Sequence, residues 1–460
     1  MKKAKIVATL GPSSIDKIEE MIKEGVDVFR LNFSHADHKT HKASIKKIRE
    51  IAKKLNSKTA ILQDISGPKI RIGEIDGVLE LKRGDKIRLV KKNPQSKYDL
   101  TLSYPEIIDH VNVGEYVFFA DGSIRTKVIE KTPDYLVLEV KNSGVLSSRK
   151  GVNFPHSNLK ISAITEKDKK DLAFGAKNGV DIVAISFVNN KNDILLAKKI
   201  LNENNANPWV VAKIETKKAV DNLDEILEVS DGVMVARGDL GIEVGIEKVP
   251  VIQKKIIRRA NKLKKPVITA TQMLLSMVNS PFPTRAEVSD VANAVMDGSD
   301  AVMLSDETTV GKYPLKAVET LKKVIIETQS IYPYYKKYEI DDSDAIAASV
   351  ADLCKGIEPK AIVSFTSSGT TVRSIAKYRP KPPIIAVTHS RETSRKLKVV
   401  WGVEEIIELP KIKNPEKLIE KFKEIAKIEK LLNQGDKVIV TMGSIIGEEG
   451  ATNMIRVVEI

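Results

Sequence analysis

Short apolar runs of six or seven residues, each closed abruptly by a polar or charged residue, recur along the chain. They are Lys5–Leu10, Val28–Phe33, Ala60–Ile65, Asp181–Phe187, Trp209–Glu215, Gly232–Gly238, Pro266–Gln272 and Ala301–Glu307. Apolarity is continuous within them rather than alternating, and β-branched residues are frequent. Such runs read as parallel strands buried on both faces. Amphipathic segments with helical spacing lie between them, including Lys191–Leu201, Val251–Leu263, Arg285–Met296 and Leu315–Glu327. Ser13 and Ser14 offer an N-cap for a first helix over Ile15–Lys23, which Gly25 ends. Eight strands, each followed by a helix except where another texture intrudes, predict an α/β chain built on a (β/α)8 barrel.

The intruding texture runs from Lys69 to Phe154. It has alternating short runs (Val78–Leu81, Lys86–Val90, Tyr116–Phe119, Leu136–Val140), turn residues and little helical periodicity. This predicts a mostly-β domain inserted after the third strand and bracketed by Pro68 and Pro155. Beyond Tyr335 a helix over Ala345–Leu353 precedes strand-like runs at Ala361–Thr366, Pro383–Thr388, Val403–Leu409, Lys437–Met442 and Met454–Ile460. That pattern is an open α/β domain. The expected boundaries are 1–67 and 156–333 for the barrel, 68–155 for the inserted lid, and 334–460 for the C-terminal domain.

The stretch Val210–Gly241 carries the chemistry most visibly. Lys213 and Glu215 are two apart, so a strand points both side chains to one face. The next run ends in Arg237-Gly238-Asp239, where Gly238 and Gly241 are expected to let the backbone turn sharply towards a ligand. A lysine and two carboxylates at neighbouring strand ends suit a divalent cation and an anionic substrate. Glu215 and Asp239 supply hard oxygen ligands for Mg²⁺. Lys213 can neutralise charge on a transferring phosphoryl group, and the Gly238 and Asp239 N–H groups near a helix start can seat an anion. Arg30 offers a second phosphate clamp and Thr271 a hydroxyl at the same mouth.

Composition narrows the reading little. The net charge of +14 is scattered among 61 acids, and aromatics are 5%. No basic run is interleaved with aromatics, so nucleic-acid binding is not expected and attraction of small polyanions is. The chain shows no membrane-spanning run and no signal peptide, and it has a single cysteine, Cys354. A cytoplasmic protein fits these features.

The motifs V-F-R-L-N-F-S-H (Val28–His35), D-I-S-G-P-K-I-R (Asp64–Arg71), Lys213-Ile214-Glu215, M-V-A-R-G-D-L-G-I-E (Met234–Glu243), I-T-A-T-Q-M-L (Ile268–Leu274) and the segment Pro283–Gly298 resemble pyruvate kinase as a set and in family order. The resemblance implies phosphoryl transfer from phosphoenolpyruvate to ADP, giving pyruvate and ATP, in a homotetramer. It implies that Glu215 and Asp239 ligate Mg²⁺ and that Lys213 stabilises the transferring group. Arg30, Gly238, Asp239 and Thr271 match positions that hold phosphoenolpyruvate, with Lys213, Thr271 and Arg30 catalytic. Asn32, Phe33, Ser34, His35, Arg71 and Lys167 match the nucleotide side, although Lys167 also reads as a solvated helix charge.

One departure from the family's commoner pattern concerns K⁺. Its matching ligand positions are Asn32, Ser34, Asp64 and Ile65. Ile65 lacks the usual threonine oxygen, and Lys69 stands where K⁺-dependent members carry a glutamate. The expectation is that K⁺ is not required, a tethered ammonium replacing it. In the C-terminal domain, Thr366, Ser367, Ser368, Gly369, Thr370 and Thr371 form either an ordinary strand–helix turn or a cradle for the phosphate of an effector. A Mg²⁺-dependent lyase acting on an enolate could use the same lysine and carboxylates, but it leaves the lid unexplained. A non-catalytic phosphometabolite sensor leaves the barrel motifs unexplained.

Overall fold

The computed structural model of the chain describes residues 2–157, 159, 161–339, 344–443 and 452–460. Eight parallel strands close into a barrel in chain order: Lys5–Thr9, Val28–Asn32, Ala60–Asp64, Ile182–Ile185, Trp209–Ile214, Gly232–Ala236, Val267–Ala270 and Ala301–Leu304. All but the second are buried at every position. Helices cover one face of each strand and the barrel interior covers the other, which is why the runs are continuously apolar. Alternate residues divide accordingly. Ile6, Ile61, Val183 and Val233 pack with helix residues such as Met21, Ile48, Ile226 and Leu321. Val7, Val28, Leu62, Ala184, Val211 and Met303 belong to a separate interior cluster.

The first helix is shorter than expected, Ile18–Glu24. Ser14 closes a tight turn instead of capping: its hydroxyl accepts the Gly11 N–H at 3.1 Å, and its own N–H reaches the Gly11 carbonyl at 3.0 Å. Gly25 ends the helix in a left-handed conformation (φ +117°), which glycine adopts without a Cβ clash.

The inserted segment builds two sheets. One pairs Val78–Leu81 with Gly144–Ser147. The other has six strands in the order Val152–Asn153, Tyr116–Phe119, Ile124–Lys131, Tyr135–Val140, Lys86–Val90 and Asp99–Thr101. Their inward residues form a core of their own, with Leu79, Ile87, Val117, Phe119 and Leu138 fully or almost fully buried. In the C-terminal domain, four parallel strands and a final antiparallel one run in the order Val403–Glu408, Ile384–Thr388, Ala361–Phe365, Lys437–Gly443 and Thr452–Glu459. Cys354 is buried there, which pushes its thiol up to about 12 and leaves it a packing residue.

The barrel interior continues into the C-terminal domain: Val7, Leu62, Trp209 and Met303 share one apolar cluster with Ala351, Ile375, Leu397 and Val400. This domain therefore closes the N-terminal end of the barrel and leaves the C-terminal mouth free. A repeated polar device frames the joint. Asp27, Asp181, Asp231 and Asp300 each immediately precede one of the even-numbered barrel strands. Their carboxylates accept the N–H groups of Ile6, Ile61, Val210 and Val267 on the neighbouring odd strands, at 2.9, 2.7, 2.8 and 3.0 Å. Three of them also face cations of the C-terminal domain: Lys398 at 3.2 Å, Arg395 at 3.7 Å and Arg379 at 3.1 Å. Asp231 pairs with Lys198 at 3.1 Å and attracts Arg373, which stacks on Trp209.

Candidate active site

The inward-facing series of the barrel turns from apolar to polar as it reaches the mouth. Two residues beyond Val7, Val28, Leu62, Ala184 and Val211 stand Thr9, Arg30, Asp64, Ser186 and Lys213. A spacing of two keeps each pair on one face of its strand. These five side chains meet. Arg30 Nε lies 2.7 Å from Asp64 Oδ2, and its Nη1 donates to Thr9 Oγ1 at 3.0 Å. Lys213 Nζ lies 3.2 Å from Asp64 Oδ1 and 2.9 Å from Glu215 Oε1, and it donates to Ser186 Oγ at 2.7 Å. Ser186 in turn donates to the Ile65 carbonyl at 2.7 Å. The second oxygen of Glu215 accepts the Phe187 N–H at 2.8 Å, a backbone group aimed by a left-handed Phe187 (φ 54°).

Charge is concentrated here in a nearly water-free setting. Burial disfavours the Lys213 ammonium, but Asp64 and Glu215 outweigh it and hold its pKa above the ordinary lysine value. Burial would likewise raise Asp64, yet Lys213 and Arg30 hold it below the usual carboxylate range. Glu215 goes the other way. Burial, reinforced by the charge of Asp239, pushes it up despite Lys213. No group of three or more histidine, cysteine or acidic side chains suited to a metal occurs among the described residues. Two carboxylates whose charges oppose each other suit a hard cation that keeps water and substrate in its coordination sphere.

The expected sharp turn at Gly238 and Gly241 is absent. Both lie inside the helix Arg237–Val244, and neither has a positive φ. The unusual backbone is on the neighbouring strand end, at Thr271 (φ 69°) and Gln272 (φ 54°) just past the seventh strand. A β-branched residue held there costs about 1–3 kcal/mol, so neighbours must fix it. Arg237 does so: its guanidinium donates to the Thr271 carbonyl at 2.7 and 3.2 Å and to that of Gln272 at 3.2 Å, anchored by Asp290 at 2.6 Å. The Gly238 N–H then donates to Thr271 Oγ1 at 3.0 Å.

A second group gathers beside the first. The Asn32 side chain accepts the Ser34 N–H at 3.1 Å, and Lys167 Nζ donates to the Phe33 carbonyl at 2.8 Å and pairs with Asp171 at 2.6 Å. Lys167 is thus tied to the 32–35 turn rather than being a free helix charge. The Phe33 ring is buried and stacks on His41 at 3.9 Å, so only its backbone is presented, whereas His35 is exposed. Arg71 is not drawn into this group; it donates to the Arg149 carbonyl within the inserted β segment at 2.9 Å. Lys69 is exposed and runs beside Gly151 of the inserted β segment, and Ile65 is buried. In the C-terminal loop, Thr366 Oγ1 accepts the N–H of a left-handed Gly369 at 2.9 Å, and Ser368 and Thr370 hydroxyls pair at 3.0 Å.

Sequence reasoning missed Thr9, Ser186 and Arg237. The first two share the inward register of Arg30 and Lys213, a signal that was there to use. Arg237 reads as one more charge at a strand end, and its backbone targets come from another strand.

A family model described as pyruvate kinase, barrel domain, matches residues 1–318, and one described as pyruvate kinase, alpha/beta domain, matches residues 344–458. Pyruvate kinases of Staphylococcus aureus strains MRSA252 and USA300 are each 45% identical over 99% of this chain and 80% of their own length. The crystal structure of a pyruvate kinase from Cryptosporidium parvum superposes with a TM-score of 0.93 at 37% identity, covering 100% of this chain and 96% of that one. On sequence, on fold and over nearly its whole length, the chain belongs to the pyruvate kinase family.

Proposed function

We propose that the chain performs the pyruvate kinase reaction, phosphoenolpyruvate + ADP + H⁺ → pyruvate + ATP, at the barrel mouth where Lys213, Glu215 and Asp239 converge. The carrying observation is the buried Lys213 ammonium, held charged between Asp64 and Glu215. Glu215 and Asp239 would hold Mg²⁺, which supplies positive charge to substrate oxygens when bound. Arg30, Thr271 and Gly238 orient phosphoenolpyruvate, the Gly238 N–H acting through the Thr271 hydroxyl that it holds. Lys213 meets the charge that builds on the phosphoryl group as it leaves. Asn32, Phe33, Ser34, His35, Arg71 and Lys167 form the nucleotide side, with Arg71 brought in by the lid. We assign 68–155 as that lid, 1–67 and 156–333 as the barrel, and 334–460 as a C-terminal domain. Lid closure excludes water, so that the acceptor is ADP. Glu215→Gln and Asp239→Asn should each lower turnover at ordinary Mg²⁺ by about a hundredfold or more, with the far-UV spectrum unchanged. Near-normal turnover of either would overturn the assignment.

K⁺ independence belongs to the same reading. Ile65 presents no side-chain oxygen, Asp64 is already neutralised by Arg30 and Lys213, and Lys69 supplies a lysine at the lid arm. Turnover with Mg²⁺ in tetramethylammonium buffer should be unaffected by added KCl at matched ionic strength. Strong activation by KCl would refute it. The same coupled assay, run with and without sugar phosphates, tests the Thr366–Thr371 loop as an effector seat. A homotetramer is the family expectation, which a solution mass near one chain would exclude. No helix among the described residues is long and apolar enough to cross a membrane, in keeping with a cytoplasmic enzyme.

A further inference from the structure

The helix Arg237–Val244 does more than carry Gly238 and Asp239. At its start it clamps the strained Thr271 turn through Arg237. At its end it meets the lid twice. Ile242 lies against Gly122, where an added Cβ would stand 3.6 Å from its side chain. Glu243 lines one cleft with Asn153 and Lys217, where the Lys217 backbone N–H and the Asn153 side chain both favour its charged form. Gly122 closes a lid tip in which Ala120, Asp121 and Gly122 are all left-handed, and Asn153 lies in the edge strand Val152–Asn153 beside it. Lid tip and lid edge therefore rest on the last turn of one helix, which lines a cleft of about 330 Å³ together with Lys69, Phe187 and Asp239.

Helix energetics do not explain Glu243. A carboxylate in the final turn opposes the helix dipole. Its anchor is elsewhere: Lys217 opens the helix Lys217–Asp221, and that N–H has no partner within its own helix. One oxygen can stay on this fixed donor while the other is available to a group that arrives. Asn153, at the edge of a domain joined to the barrel by two chain segments, is such a group.

We propose that Glu243 is the latch for the lid, a positioning residue that captures Asn153 when the lid closes and thereby couples closure to the helix holding Gly238 and Asp239. The proposal rests on reading 68–155 as a lid over the reacting site.

The test is a distance measurement between spin labels on Val145→Cys in the lid and Leu195→Cys on the barrel, with buried Cys354 left in place. Glu243→Ala and Asn153→Ala should each lower the closed-to-open ratio about tenfold, the size expected when one buried hydrogen bond is lost. The double variant should fall no further, and Glu243→Gln, which keeps an acceptor oxygen, should recover most of the closed population. Additive losses in the double variant, or an unchanged ratio in Asn153→Ala, would overturn the latch. Failure of the wider functional reading would look different: no ATP formed by the parent protein, whatever the distances show.

Discussion

Lys213→Met should lower kcat by about a thousandfold while changing KM for phosphoenolpyruvate only several-fold, the pattern for an interaction made chiefly in the transition state. The ammonium is buried, and its contacts to Asp64, Glu215 and Ser186 aim it at the mouth. Those carboxylates hold its pKa above the ordinary lysine value, so the expected role is that of a fixed charge rather than of a base. About 4 kcal/mol of barrier corresponds to that loss. Methionine keeps the length and removes only the charge, but it also leaves Asp64 and Glu215 less neutralised. For that reason a second reaction is needed as a control. Enolisation of bound pyruvate, monitored by proton exchange at its methyl group, moves no phosphate and should survive markedly better. Equal loss of both reactions would make Lys213 a general base or a structural strut, and the fixed-charge role would be wrong.

The strand-end chemistry was readable because two periodicities coincide. Continuous apolar runs announce buried parallel strands, and a spacing of two within them announces which polar residues share the interior. Lys213 with Glu215 was legible on that basis, and Thr9 and Ser186 were legible in principle. What stayed hidden depends on backbone geometry or on distant partners. Nothing local to Thr271 signals a positive φ, since a β-branched residue is among the least suited to it, and the Arg237 clamp that stabilises it arrives from the preceding strand. The glycines that suggested a sharp turn sit in a regular helix instead, with the Gly238 N–H on the Thr271 hydroxyl. The joint to the C-terminal domain was equally hidden. An aspartate before a strand looks like ordinary turn chemistry until the cations that answer it appear 79 or more residues later, as Arg379 does for Asp300 and Arg395 for Asp181.

That joint carries the second large effect, a loss of about 3–5 kcal/mol of stability in Arg379→Met. Arg379 is 1% exposed and donates to both oxygens of Asp300 at 3.1 Å, and also to Asn261 Oδ1 at 2.9 Å and the Gly298 carbonyl at 2.6 Å. Asp300 cannot move away to find water. Its oxygens also accept the N–H groups of Val267 and Trp401, each at 3.0 Å, which tie the seventh barrel strand to the C-terminal domain. Removing the cation leaves a buried charge with two neutral donors, and several acceptors lose their donor at once. Both tryptophans of the chain report on the event: Trp401 lies under Arg379 at 5.1 Å, and Trp209 lies under Arg373 at 4.9 Å. The unfolding temperature read from their emission should fall by about 3–5 °C. Lys398→Met is the comparison that isolates the cause. Asp27 there retains Lys2 after Lys398 is lost, so its charge is not orphaned and the fall should be a fraction of that in Arg379→Met. Equal falls in the two variants would mean that lost packing, and not an uncompensated carboxylate, sets the stability of the joint.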